Sequence, residues 1–193
     1  MDTQIIFEAF SKIYPITSEA WQDFEPLVSP LSVSRNEFLV LEGDLVENAY
    51  LLVDGIVRVY YSQDGNEYNK TFFIPGMFPT ALTALISRAP SALSFQALTP
   101  CKLLQFSFRK MQDLYPKHRC FESLMLKIIE QQWIKKERHD IRMVTNDATT
   151  NYLIFREEFP GLENLIPQYH IASYLGITPI QLSRIRSQMA HSS

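Results

Sequence analysis

The chain has 193 residues, 46% apolar, 12% aromatic and 20% charged, with a formal net charge of −3. Such a composition folds as one or two globular domains and excludes disorder throughout. No apolar run nears the roughly 20 residues that cross a bilayer, and Met1-Asp2-Thr3-Gln4 lacks the basic start and small-residue cleavage site of an export signal. A cytoplasmic protein with no membrane partner is therefore expected.

Taken in order, Ile5, Ile6, Ala9, Phe10 and Ile13 recur at helical spacing, and Thr17-Ser18 opens a second helix carrying Trp21, Phe24 and Val28. From Leu31 the period shortens. Phe38, Val40, Tyr50, Leu52, Val57, Val59, Tyr61, Phe72 and Ile74 sit in short β-favouring stretches bounded by Gly43-Asp44, Asp54-Gly55, Asp64-Gly65 and Pro75-Gly76. With Leu93 to Phe108 they predict a sandwich or closed roll of about eight strands. Helical spacing returns after Pro116, where Phe121, Leu124, Met125, Ile128 and Ile129 form a wide apolar stripe continued less cleanly by Trp133 and Ile134. The stripe predicts a long helix that pairs two chains through its apolar first half while its charged second half, 131–142, projects. A single core helix packed on the roll is the alternative. Asn146-Asp147 caps a further helix with Tyr152, Leu153 and Phe155 that stops at Pro160-Gly161. The predicted divisions are 1–117, 118–143 and 144–193.

After Glu163 the chain has no Asp or Glu, while Arg184 and Arg186 remain, so the tail is basic on an acidic protein. Ala172 is small where two helices would cross, Gly176 suits a left-handed helix end, and Ile177 plugs the corner. Thr178, Pro179 and Gln181 then read as an N-cap, a first helical position and a capping box. On this second helix Leu182, Ile185 and Met189 share a face. Ile180, Arg184 and Ser187 point away from it, flanked by Gln181, Ser183 and Gln188. A polar, acid-free helix face of this kind can enter a DNA major groove, with Arg184 the chief base reader and Thr178 near phosphate. Gln168, Tyr169 and Arg186 complete the expected contact set. Two arginines make few phosphate contacts, which favours a homodimer on a two-fold symmetric operator.

The stretches 38–44 and 49–60, Gly76-Met77-Phe78 and the segment Gln168 to Ile185 together resemble the Crp/Fnr family of bacterial transcription regulators. The resemblance implies an α+β fold: an N-terminal double-stranded β-roll of cyclic-nucleotide-binding type, a long dimerisation helix and a C-terminal winged helix-turn-helix. Only 159–167 is available for a wing, so a short loop or stub hairpin is expected. An ungapped reading from Gly76 and Phe78 places Thr80-Ala81 and Ser91-Ala92 where cyclic-nucleotide members carry a Gly-Glu pair and an Arg-Ser or Arg-Thr pair. The phosphate-pairing Arg is missing, with Arg88 the nearby substitute. Lys136 and Glu137 stand where small hydroxyl residues would meet the base. Binding of cyclic AMP in the usual manner is not expected, and the effector, if there is one, is some other small molecule.

No cofactor or metal is expected. Cys101 and Cys120 are too few for an iron–sulfur cluster or a thiolate zinc site, and no cysteine precedes residue 101, unlike in the oxygen-sensing branch. A haem sensor would need His118 or His139 as axial ligand, though both read as surface residues. All four histidines, His118, His139, His170 and His191, lie outside the roll, which excludes a cupin-type metal enzyme, and neither a nucleophile–base pair nor a phosphate loop is visible. The competing non-enzymatic reading is a protein-interaction module with a degenerate helix-turn-helix, which the outward Ile180 favours.

Overall fold

Two hydrophobic periods organise the chain, and the computed structural model, which describes residues 2–191, turns them into seven strands and eight α-helices among those residues. Helices α1 (Gln4–Ser11) and α2 (Ser18–Phe24) come first. Thr17 caps α2, accepting from the Ala20 amide at 3.2 Å. The helix stops at Phe24, short of the expected Val28, because Pro26 follows in a 3-10 turn, Glu25–Leu27.

Strands β1 (Ser29–Val33), β2 (Phe38–Val40), β3 (Asn48–Asp54), β4 (Val57–Gln63), β5 (Asn66–Phe73), β6 (Ser94–Ala97) and β7 (Cys101–Ser107) make two antiparallel sheets, ordered β1-β7-β3 and β2-β6-β4-β5. This is the expected roll with one strand fewer. A short helix α3 (Leu82–Ser87) occupies the β5–β6 connection, and α4 (Phe108–Asp113) takes Phe108 out of the last strand, capped by Ser107. Helices α5 (Arg119–Thr145), α6 (Ala148–Glu158), α7 (Gln168–Tyr174) and α8 (Pro179–His191) follow. The stretch offered for a wing holds only a 3-10 turn, Leu162–Asn164.

Side chains alternate along the strands, yet both faces of both sheets are covered. Tyr50, Leu52, Val57, Val59, Phe95 and Leu103 fill the space between the sheets. Their neighbours Ala49, Leu51, Leu104 and Phe106 meet Phe10, Phe24 and Phe121 of the first helices and α5. On the far side Ile56, Phe72 and Leu98 meet Tyr152, Phe155, Phe159, Ile171, Tyr174 and Leu182. The result is four layers: helices, sheet, sheet, helices. Double coverage explains why β3 and β4 each contain four consecutive buried residues, where a sheet wet on one face would alternate. Each such Leu or Phe contributes about 1.5–3 kcal/mol by leaving water. At the β3–β4 turn Gly55 has φ +102°, and a Cβ there would lie 2.5 Å from the Pro100 carbonyl oxygen, so only glycine allows the turn to press on the start of β7.

The long helix is where sequence and structure part. Phe121 and Leu124 are 0% and 1% exposed in the aromatic core beneath the first sheet, and Met125 and Ile128 pack against that core. These four residues bind α5 to its own roll, which corrects their assignment to a seam between chains. The opposite side of the helix carries Leu126, Ile129, Trp133, Ile141 and Val144, all exposed, Trp133 at 66% and Val144 at 84%. They share one side of the helix, where the exposed Glu130 and Glu137 interrupt them.

Candidate nucleic-acid interface

The C-terminal helices take the form that local sequence dictates. Asp147 caps α6, accepting from the Thr150 amide at 2.7 Å. Between α7 and α8, Gly176 adopts φ +67°, and a Cβ there would make only an ordinary contact with Met143 Cε at 3.8 Å, so glycine is needed there for backbone conformation and not for room. The Ile177 amide donates to the Ala172 carbonyl at 3.0 Å, closing the corner. Thr178 Oγ1 accepts from the Gln181 amide at 3.2 Å and Gln181 Oε1 accepts from the Thr178 amide at 2.9 Å, a reciprocal capping box.

Leu182 is fully buried, and Ile185 and Met189 pack against the same cluster, which leaves Ile180, Ser183, Arg184 and Ser187 exposed on the other side. Gln168 and Tyr169 are also exposed at the start of α7. Two members of the expected contact set differ. Gln181 commits its amide oxygen to the cap, so it is not free for a two-point contact with a base edge. Arg186 turns inward to a cleft lined by Tyr152, Arg156, Glu163, Met189 and Ala190, with its Nη1 buried and unpartnered. In that cleft Glu163 is held by Arg156 Nε at 3.1 Å and by the Tyr152 hydroxyl. Burial, followed by Glu163, pushes the Tyr152 hydroxyl up to about 12.

Two polar clusters fasten this head to the rest of the molecule. Against α5, Arg142 grips Glu158 with two bonds, 2.7 and 2.9 Å, and donates to the Tyr174 hydroxyl at 3.1 Å and to His139 Nδ1 at 3.1 Å. Burial and the neighbouring guanidinium hold His139 below the usual histidine range. Burial would raise Glu158, but Arg142 outweighs it and keeps the carboxylate low.

Against the roll, Arg58 of β4 is 5% exposed; it donates to Gln96 Oε1 at 2.6 and 2.8 Å, pairs with Glu67 at 2.5 Å and lies 4.0 Å over the Tyr60 ring. Its Nη1 also reaches His170 Nδ1 on α7 at 3.2 Å, which assigns the imidazole proton to Nε2. Asn69 of β5 donates from its side chain to the His170 carbonyl at 3.1 Å, and its amide donates to Ser173 Oγ at 2.9 Å. Burial, then Arg58, pushes His170 down to about 4. Sequence reading missed both clusters; an Arg between two valines of a strand reads as a solvent-facing residue.

Five residues of the expected effector pocket make structural contacts. Gly76 has φ +88°, and its amide donates to the Leu52 carbonyl at 2.8 Å. Phe78 stacks on Phe10, Thr80 Oγ1 accepts from the Tyr50 amide at 3.0 Å, and Ala81 is buried between the sheets. The Ser91 hydroxyl donates to the Leu93 carbonyl at 2.7 Å. Ala92 is exposed, and so is Arg88, which ends α3 in left-handed backbone. Lys136 and Glu137 are exposed as well, with Lys136 paired to Asp140. Nor is His118 a surface residue: it is 6% exposed, with Nε2 2.7 Å from Asp23 of α2. Among the described residues no group of three His, Cys, Asp or Glu side chains could hold a metal, and no helix is long and apolar enough to cross a membrane.

Comparison with known proteins agrees with this architecture. Residues 30–118 match the cyclic nucleotide-binding domain family. FixK2 from Bradyrhizobium japonicum superposes with a TM-score of 0.70 at 18% identity over 86% of this chain and 85% of that one. The c-di-GMP responsive global regulator CLP of Xanthomonas campestris gives 0.67 at 14% identity, covering 91% and 93%. The sensor domain of the transcriptional regulator DNR from Pseudomonas aeruginosa gives 0.58 at 14% identity, covering 68% and 92%. A search of curated proteins returns no match. The roll over 30–118 is thus of the cyclic nucleotide-binding type, and the chain shares the fold of these solved structures.

Proposed function

We propose that this chain is a sequence-specific, DNA-binding transcription regulator of the Crp/Fnr kind, cytoplasmic and non-enzymatic, working as a homodimer. The carrying observation is the exposed face of α8, where Arg184 stands with Ile180, Ser183 and Ser187 on an acid-free helix whose start is capped. Arg184 reads a base edge, guanine being the best geometric partner. The side of α5 that exposes Leu126, Ile129, Trp133, Ile141 and Val144 supplies the seam for a second copy, since five large apolar side chains gathered on one helix face call for cover. Two heads then meet half-sites about one helical turn apart. The cyclic-nucleotide-type roll does not hold cyclic AMP in the usual manner, because an ungapped reading sets Ala81 and Ser91 in the places of the phosphate-binding residues, and among the described residues the buried cation, Arg58, is engaged by Gln96, Glu67 and His170.

Selection from a promoter pool tests the reading. The wild-type protein enriches a two-fold symmetric sequence, and Arg184→Ala loses about 1–3 kcal/mol of discrimination at one base pair per half-site. Unchanged preference in that variant defeats the base-reading role. Failure of the wild type to enrich any sequence favours a protein-interaction module instead. Millimolar cyclic AMP is expected to leave the melting temperature unmoved, and a rise would show an open nucleotide pocket.

A further inference from the structure

We infer that the outward face of the second sheet is a docking site for α7 that fixes the orientation of the DNA-reading head, so that the roll acts as a mechanical platform for the helix-turn-helix. The inference rests on the DNA-reading function proposed above. Three of the buried polar side chains among the described residues, Arg58, Asn69 and His170, meet in this one seam. A guanidinium excluded from water is costly unless its donors are met, and here Gln96, Glu67 and His170 meet them from three different elements. Apolar contact alone tolerates sliding, whereas these bonds hold at one position of α7 only.

The strand is shaped for the contact. In the β4–β5 ladder Val59 lies opposite Thr71 and Tyr60 opposite Asn69, so Lys70 is an extra residue that bulges the edge. The Asn69 amide is thereby turned to Ser173 on α7, whose hydroxyl in turn donates to the Glu67 carbonyl at 2.9 Å. Arg142, Glu158 and Tyr174 hold the other side of the head to α5, so its orientation is set from two directions. Docking leaves Arg184 exposed, so the contact is compatible with reading DNA. What it supplies is a fixed direction for each head, and for two linked heads that determines how readily the second engages once the first is bound.

Hydrogen exchange and DNA binding on the full chain test the proposal together, with Arg58→Met and the milder Ser173→Ala, which removes two bonds from a half-buried position. In both variants the α7 amides are expected to lose protection, at least tenfold in Arg58→Met, while β3 and β7 keep theirs. Affinity for a two-fold symmetric duplex falls at least tenfold in Arg58→Met, and affinity for a single half-site stays within twofold. Unchanged α7 protection in both variants overturns the docking role. Lost protection with equal or higher affinity for the symmetric duplex overturns the orienting role. Should Arg58→Met fail to fold, Ser173→Ala decides by the same two readings. If the wild type binds no DNA at all, the DNA-reading function fails and the orienting role with it, while the exchange data still decide the contact.

Discussion

The two sheets are covered on their outer faces by different chemistry. Over the first sheet lies an aromatic cluster in which Phe24 touches Phe10, Phe106 and Phe121 at centroid distances of 5.0–5.4 Å. Over the second lies a comparable cluster, Phe72 with Phe155, Phe159 and Tyr174, bordered by Arg58, Gln96, Asn69, His170 and Ser173. Dispersion and burial hold most of the first seam, with the His118–Asp23 pair at its edge. The second adds directional bonds whose strength depends on protonation and which specify one geometry. A mainly apolar cap and one with a buried polar border are thus built on the two sides of a single roll.

The largest test of this contrast is Phe121→Ala, which opens a cavity in the aromatic seam and is expected to cost about 3–5 kcal/mol in denaturant unfolding. A loss under about 1 kcal/mol would mean that the first seam is looser than its packing implies.

Acid probes the second seam. The His170 imidazole is held at about 4, below its ordinary value of 6.5, so between these values the unfolded or undocked chain binds the extra proton. Its contribution is complete above about pH 6.5 and is lost as the pH falls towards 4, up to about 3 kcal/mol. The groups facing the ring are Arg58, Glu67 and Asn69 from the roll and Tyr169 from α7. Exchange measured from pH 7 to 4.5 should therefore loosen α7 and leave the first turns of α5 protected. The same acid sensitivity in His170→Gln would show that another group is responsible. The smallest effect is expected from Thr178→Ala, about 1 kcal/mol from the lost cap of α8, with neither seam disturbed. Lost protection in α7 of that variant would show that the turn and the docking contact are coupled.

Much of this fold was legible because its signals are local. Thr17, Asp147 and Thr178 cap the helices their positions announce, and Gly176 takes the backbone angle expected of it. What stayed illegible depends on partners distant in sequence. Periodicity shows that Phe121 and Leu124 share a helix face but does not say whether the surface covering them belongs to the same chain, and here it does. Arg58 sits between Val57 and Val59 in an alternating strand, a pattern that reads as one wet face until α7 is laid over it from more than a hundred residues away. α3 has six residues and no side-chain cap at Ala81, so nothing local marks it. At the candidate interface, Gln181 and Arg186 carried the right chemistry but were drawn off by a cap and by a cleft.

The exposed apolar side of α5 carries its own spectroscopic probe. The chain has two tryptophans; Trp21 packs beside Phe7 and Phe24, whereas Trp133 stands in the open middle of that side. Covering that indole by a second copy would move its emission to shorter wavelength and shield it from soluble quenchers. Subunit association could then be followed by dilution alone, with no label attached to the protein.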